Sequence, residues 1–356
     1  MIEFVHTMKD IEKKDWNTLA GFDKVETTHE WFSFVEDISF EPKPYYCHAV
    51  YRKKGEIVGI LPAYYHFIFI KDFMRETGFL TLESLFPKMK TPFKLTKVSI
   101  PLSCDSRYFG DKKYFHDCLT ELKNFSKERK DLLFAVLDFN GKIDSPDLFC
   151  IETYPEAYTK PYPSWDAYIQ SQPGKRGKHM RYEYKKSIKS GTKTYIQEEL
   201  EGLYTVLYDL YLNVSAANRS PLTFPRDFFK KMDEHLREYT RCIFAENEGR
   251  ITGHLLFLEN DHIISCKYAG RDYEAKDTYL YFRLMYELIK YAIDKKKPLS
   301  MERTSYDAKF RRGFSPVEKR NYIKSSCFMG NLYLDLLKMV KKRFERHIQE
   351  IKALQY

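Results

Sequence analysis

The same short turn occurs twice in this chain, and it limits the fold more than any other feature. KKGEIVGILPAYYHF carries Gly55, Ile57 and Gly59, and NEGRITGHLLFLEN carries Gly249, Ile251 and Gly253. Each turn follows an alternating run, Tyr45–Arg52 and Arg241–Glu246, and leads into a second one, as an antiparallel hairpin does. Two like hairpins 194 residues apart suggest an internal duplication. The elements that follow have the same order in both halves. After the first hairpin the pattern predicts a strand at Thr96–Pro101, a helix at Lys112–Lys127 and a strand at Leu132–Phe139. After the second it predicts a strand at His262–Tyr268, a helix at Thr278–Asp294 and a strand at Pro298–Thr304. Strands alternating with helices imply sheets covered by helices.

The second half also opens with two helical patterns, Leu203–Ala217 and Pro225–Leu236. The chain closes with a charged helical stretch at Leu332–Leu354. With 356 residues, two domains are the natural expectation. Pro155, Pro161, Pro163 and Pro173 crowd the stretch between, which reads as a connector. The expected division is 1–155, 156–330 and a C-terminal helix 331–356. A 43% hydrophobic content, with 27 Phe and 28 Tyr, supplies material for two cores and argues against wholesale disorder.

No apolar run approaches the roughly 18 residues that cross a bilayer, and Met1–Asp10 has no apolar signal core, so a cytoplasmic protein is expected. The seven cysteines form no C-x-x-C pair and read as small buried hydrophobes. The ten histidines are scattered, and no metal site is expected. The net charge of +9 is concentrated in one place: eight Lys/Arg and a single acid, Glu183, lie between Lys175 and Lys193. Arg181, Lys185 and Lys189 recur there at four-residue spacing, a face that would draw an anionic partner; a solvated amphipathic helix is the plainer reading.

Four stretches, taken in order, resemble the FemAB-like (peptidoglycan biosynthesis/recognition, Fem-type) transferases of the GNAT superfamily. They are Asp15–Glu36, the GEIVGILPAYYH hairpin, Ser164–Ile196 and Lys267–Phe314. The resemblance implies an α/β (α+β) fold of two tandem GNAT-like domains, each a mixed, mainly antiparallel sheet flanked by helices. It also implies acyl transfer from a thioester donor, acyl-CoA or an acyl-carrier protein, to a small-molecule or peptide amine by direct attack. Aminoacyl-tRNA is the alternative donor, and a non-catalytic module binding nucleic acid or a carrier protein is the alternative of another class. CoA-using relatives cradle the pyrophosphate with R/Q-x-x-G-x-G/A. The corresponding stretch here, Tyr268–Tyr279, has only Gly270, and Ser99–Lys112 in the first half also lacks the pattern.

Such a transfer needs a proton acceptor, an oxyanion site and aligned substrates. No G-x-S-x-G nucleophile motif occurs. Met301–Gly313 is the densest candidate, just after the strand placed centrally, where α/β sheets bind ligands. Asp307 or Glu302 is the candidate base. Lys309, Arg312 and Arg303 are candidates for meeting the donor, joined by Tyr268, Arg271 and Asp272 at the strand-to-helix junction and by Arg181 and Lys185 on the basic helix. The plainer reading of Met301–Gly313 is a charged surface loop of mutual ion pairs, and Tyr268 is as readily a packing aromatic.

Overall fold

The computed structural model describes residues 1–40, 43–68, 93–189, 191–218, 220, 223–275, 279–325 and 327–355. It forms two compact units: Met1–Phe22 with Glu26–Pro155 and Glu318–Glu350, and Asp23–Val25 with Glu156–Val317 and Ile351–Tyr356.

In unit 1, strands Ile2–Val5, His48–Lys53, Glu56–Leu61 and Phe109–Gly110 pair antiparallel in that order. Pro62 has no N–H to continue the ladder, and beyond it the chain changes partners. Ala63–Ile68 pairs with Tyr45–Tyr46 on one side and Phe93–Val98 on the other. Phe93–Val98 then runs parallel to Leu133–Phe139, which pairs antiparallel with Arg320–Lys324. Helix His29–Asp37 starts where Thr28 Oγ accepts the Trp31 N–H, and it buries Trp31, Phe32, Phe34 and Val35. Helix Phe115–Glu128 buries Cys118, Leu119 and Leu122 against the sheet. The closing helix, Phe328–Ala353, packs Tyr333, Leu334 and Leu337 against Leu95, Leu133, Ala135 and Ile323. The sequence reading set residues 331–356 apart. In the structure 318–350 belong with unit 1, because this apolar stripe completes its core.

Unit 2 follows the order Lys193–Gln197, Thr240–Asn247, Arg250–Glu259, Ile264–Arg271, Leu299–Ser300 and the end of Phe149–Thr159. All neighbours are antiparallel except Ile264–Arg271 with Leu299–Ser300, which are parallel. Tyr204–Ala217 packs on Ile264–Arg271, and Leu280–Asp294 on Thr240–Asn247 and Arg250–Glu259. The expected mixed, mainly antiparallel sheets flanked by helices are therefore present.

The duplicated hairpins match in detail. Lys54 and Gly55 have φ of 52° and 89°, and Glu248 and Gly249 have 51° and 78°, the signature of two-residue type I′ turns. Each hairpin has its bulge after the second pair from the turn, Tyr51/Arg52 against Ala245/Glu246, so Gly59 opposes Tyr51 as Gly253 opposes Ala245.

Two expectations change. The proline-rich connector begins as a strand, since Phe149–Thr159 runs through Pro155. The strand expected at Pro298–Thr304 is only Leu299–Ser300, because the backbone turns left-handed at Glu302, Thr304 and Ser305. The helix start expected at Thr278 lies outside the described residues.

Candidate active site

Ile264–Arg271 is bonded to Arg250–Glu259 along its length, but on its other side only Ile264 and Ser265 pair, with Leu299 and Ser300. The parallel ladder ends there, before Cys266. The chain beyond Ser300 bonds instead to its other neighbour, through Met301 N–H to Ala157 O at 2.8 Å and Ala157 N–H to Glu302 O at 2.9 Å. A parallel pair thus opens into a fork.

A β-bulge sits on the Ile264–Arg271 bank. Leu256 pairs with Tyr268 and Phe257 with Cys266, leaving Lys267 as the extra residue. Cys266 and Tyr268 therefore leave the sheet on opposite faces. Tyr268 lies edge-on to Phe224 and Phe228, at 5.0 and 5.2 Å between ring centroids. The thiol of Cys266, pushed up to about 12 by burial, feels Lys309, Glu302 and Lys267 on the other side. Lys267 reaches across the gap to Glu302. Its ammonium-bearing chain is fully buried, while Glu302 keeps 20% of its side chain exposed. Lys267 is nevertheless partly accessible as a residue, so what it exposes is main chain.

The far bank is strained. Glu302, Thr304 and Ser305 have φ of 50°, 70° and 49°, each costing about 1–3 kcal/mol and persisting only where the surroundings impose it. The restraint is visible. Buried Lys309 donates to Met301 O at 2.5 Å and Arg303 O at 2.6 Å. Ser300 Oγ accepts from Glu302 N–H at 3.3 Å and donates to Glu156 at 2.6 Å, and Glu156 also accepts from Lys24 at 2.7 Å. Tyr281, held above its usual pKa by burial and eased by a hydrogen bond with Ser305, is a neutral phenol beside this bank.

Of the residues singled out from sequence, Glu302 and Lys309 meet in the fork, with the backbone of Arg303. The others lie elsewhere. Asp307 is exposed and paired with Arg311 at 2.5 Å on the outside of helix Tyr306–Phe310. Arg312, expected to meet the donor, is buried and bidentate to Glu183 at 2.7 and 2.8 Å, with Tyr286 Oη at 3.1 Å. Asp272 is buried, accepting from Arg250 at 2.9 Å and from the Glu274 N–H at 2.9 Å, and holds a turn. Arg271 lies over the Tyr273 ring. Arg181 and Lys185 are exposed, the former 3.0 Å from Asp166. Within Tyr268–Tyr279, residues 276–278 lie outside the described residues. Sequence reasoning missed Lys267, Ser300 and Tyr281; a lysine in the otherwise apolar run ISCKYAG is the signal that pointed to the first.

Unit 1 has its own parallel pair, Leu95–Val98 with Leu133–Val136, but there the fork is closed. Ser106 bridges to Phe139 in parallel, and the loop between is pinned by Ile100 N–H to Asp105 O at 3.0 Å. Asp105 is buried against Lys319 at 2.9 Å and bound by Arg107 at 2.6 Å.

The profile of a family described as FemAB-like, peptidoglycan biosynthesis/recognition, matches residues 154–354, more than half of the chain. The protein belongs to this FemAB-like family. No curated protein matches it in sequence. Solved structures resemble it over nearly their whole length. One is FemX, at TM-score 0.53 and 13% identity, covering 93% of this chain and 99% of that one. A second is a tandem GNAT protein from the clavulanic acid biosynthesis pathway, at 0.51 and 11%, covering 92% and 99%. A third is a DUF2156 domain from Agrobacterium fabrum, C-terminal in a protein named for lysylphosphatidylglycerol synthesis, at 0.57 and 7%, covering 93% and 96%. At these identities the likeness is one of fold: this FemAB-like chain has the tandem GNAT architecture. Among the described residues no helix is long and apolar enough to cross a membrane, and no group of His, Cys, Asp and Glu is arranged to hold a metal ion.

Proposed function

We propose that this FemAB-like protein is an N-acyltransferase whose chemistry takes place in the fork of unit 2. The observation that carries the reading is the fork itself: the parallel ladder ends at Ser265 and Ser300, and the strained turn that follows carries Glu302, paired across to Lys267. An acyl donor laid in the fork would place the oxyanion of the tetrahedral intermediate beside the bulged main chain at Lys267. An amine entering from the other side would lose its proton to Glu302, its nitrogen would bond to the carbonyl carbon, and the thiolate leaving group would take the proton. Lys267 fixes the direction of the Glu302 carboxylate. Lys309 acts through the backbone it clamps and is a positioning residue. Asp307, paired outside the fork, is the weaker candidate base.

A thioester donor, acyl-CoA or an acyl-carrier protein, is the leading choice. The lack of a Gly-x-Gly loop argues that a CoA pyrophosphate is not gripped in the usual way. Aminoacyl-tRNA is the second reading, favoured by the exposed basic face of Lys178, Arg181, Lys185 and Lys189 around Tyr182, itself 58% exposed. The test incubates the protein with amine acceptors and a panel of acyl-CoAs, acyl-carrier proteins and charged tRNAs, and reads products by mass spectrometry. Glu302→Gln should lower transfer by about 10²–10⁴-fold, measured per folded molecule because the buried Lys267 also loses its charged partner. A variant as fast as the parent removes Glu302 as base. Salt-sensitive RNA binding with no donor consumed makes the chain a binding module instead.

A further inference from the structure

The closing helix has two faces, and only the inner one is needed by the core of unit 1. On the outer face, Phe328 is 80% exposed, Leu332 41% and Met339 79%, on one helical stripe that also carries Asp335, paired with Lys338 at 2.9 Å. A helix folded only against its own core places polar residues there. The stripe continues into exposed Lys342, Arg343 and Arg346, flanked by Lys338. Across Phe328–Ala353, six Lys/Arg face three carboxylates. Basic residues also stand near the other end: Leu132, whose carbonyl abuts Gly330, bonds through its N–H to Lys94 O, and both Lys94 and Lys130 are exposed.

We propose that this outer face docks unit 1 onto an anionic lipid surface, with Phe328, Leu332 and Met339 entering the headgroup boundary and the flanking basic residues meeting lipid phosphates. The combination of inserted apolar side chains with surrounding cations is what an interfacial helix requires. A second copy laid on the same face would bring Lys342, Arg343 and Arg346 against their like. A nucleic acid would engage the cations and leave the aliphatic stripe unused.

The experiment is co-sedimentation of the full chain with phosphatidylcholine vesicles and with vesicles containing phosphatidylglycerol. Pelleting is expected only with the anionic vesicles, weakening as salt rises toward about 1 M. Phe328→Glu and Met339→Glu should each weaken it by about tenfold or more. Lys342→Glu/Arg343→Glu, which leaves the apolar stripe intact, should weaken it comparably. All four positions project into solvent, so the melting profile should be unchanged. Should one glutamate variant fail to fold, the charge variant still decides. The proposal is overturned if anionic vesicles pellet no more protein than neutral ones. It is also overturned if folded variants bind as the parent does, or if sedimentation velocity shows a dimer that Met339→Glu dissociates while vesicle binding persists.

Discussion

Replacing Arg312 by Met tests whether this residue supports the site from behind or touches substrate. The guanidinium is 7% exposed and its partner Glu183 is 7% exposed. It makes two bonds to the carboxylate, one to Tyr286 Oη and one to Ala308 O at 2.7 Å, and stacks 3.7 Å from the Phe282 ring centroid. Methionine fills similar volume but leaves Glu183 buried with only Tyr286 Oη and the exposed His179 ring as partners. Breaking one side of a buried pair costs about 3–5 kcal/mol, so unit 2 should melt roughly 6–20 °C lower at about 2–4 °C per kcal/mol. Glu183 lies on helix Arg176–Ile188 and Tyr286 on Leu280–Asp294. The loss should therefore also open the basic helix to trypsin at Lys185 and Lys186. Glu183→Leu with Arg312→Met should recover most of the loss, because the stranded charge is gone. The readouts are thermal and urea denaturation with limited proteolysis. An Arg312→Met protein with an unchanged denaturation midpoint would refute the reasoning and return Arg312 to the donor site.

Gly270→Ala should cost about 2–4 kcal/mol in urea denaturation. A Cβ there falls 2.1 Å from His254 Nε2 and 2.7 Å from Leu210 Cβ, which overpacks the core and breaks the His254–Leu207 hydrogen bond of 3.0 Å; a loss below about 0.5 kcal/mol would show that the ring yields freely. Burial pulls His254 from 6.5 to about 4, partly opposed by that bond to Leu207, and pulls His48 to about 3. Both are neutral when folded and protonate more readily when unfolded, so their stabilisation is complete above pH 6.5 and is lost as pH falls toward 4, about 2 kcal/mol each by pH 5. Urea midpoints at both pH values check this, and His254→Phe should flatten the slope.

The hairpins could be read from the sequence because their causes are local. A Lys-Gly or Glu-Gly pair that accepts positive φ, set between alternating residues, fixes turn and register together. Helix Leu280–Asp294 was legible from its apolar stripe for the same reason. The fork was not. The strand expected to run to Thr304 stops at Ser300 because the turn at Glu302–Ser305 is held by the ammonium of Lys309, several residues later, and by Ala157, far away in sequence. Nor does residue type give direction. Arg312 and Asp307 stand five apart in one charged segment, yet one is turned into a buried pair and the other faces water, as the packing of Tyr286 and Glu183 requires. Lys267 was hidden by the bulge, which alone turns it along the sheet instead of out of it.

The two halves share hairpin, bulge and parallel pair, so the proposed site in unit 2 rests on what differs at the parallel pair. In unit 1 the loop Ser99–Ser106 fills the fork, and its acid, Asp105, is neutralised by Lys319 with side chains only 1% and 2% exposed. A buried, mutually paired acid and base have no proton to trade with a substrate, and the Ser106–Phe139 bridge leaves less of that edge free. In unit 2 no bridge of that kind occurs among the described residues, and the gap is crossed by the Lys267–Glu302 ion pair, whose carboxylate still reaches solvent. Strain supports the same assignment. Unit 1 has Leu102 in its fork loop and Asp138 on its far bank, whereas unit 2 concentrates three left-handed residues within four positions. Strain of that density is kept where the surroundings impose it, and the role proposed for Glu302 is what it would serve here.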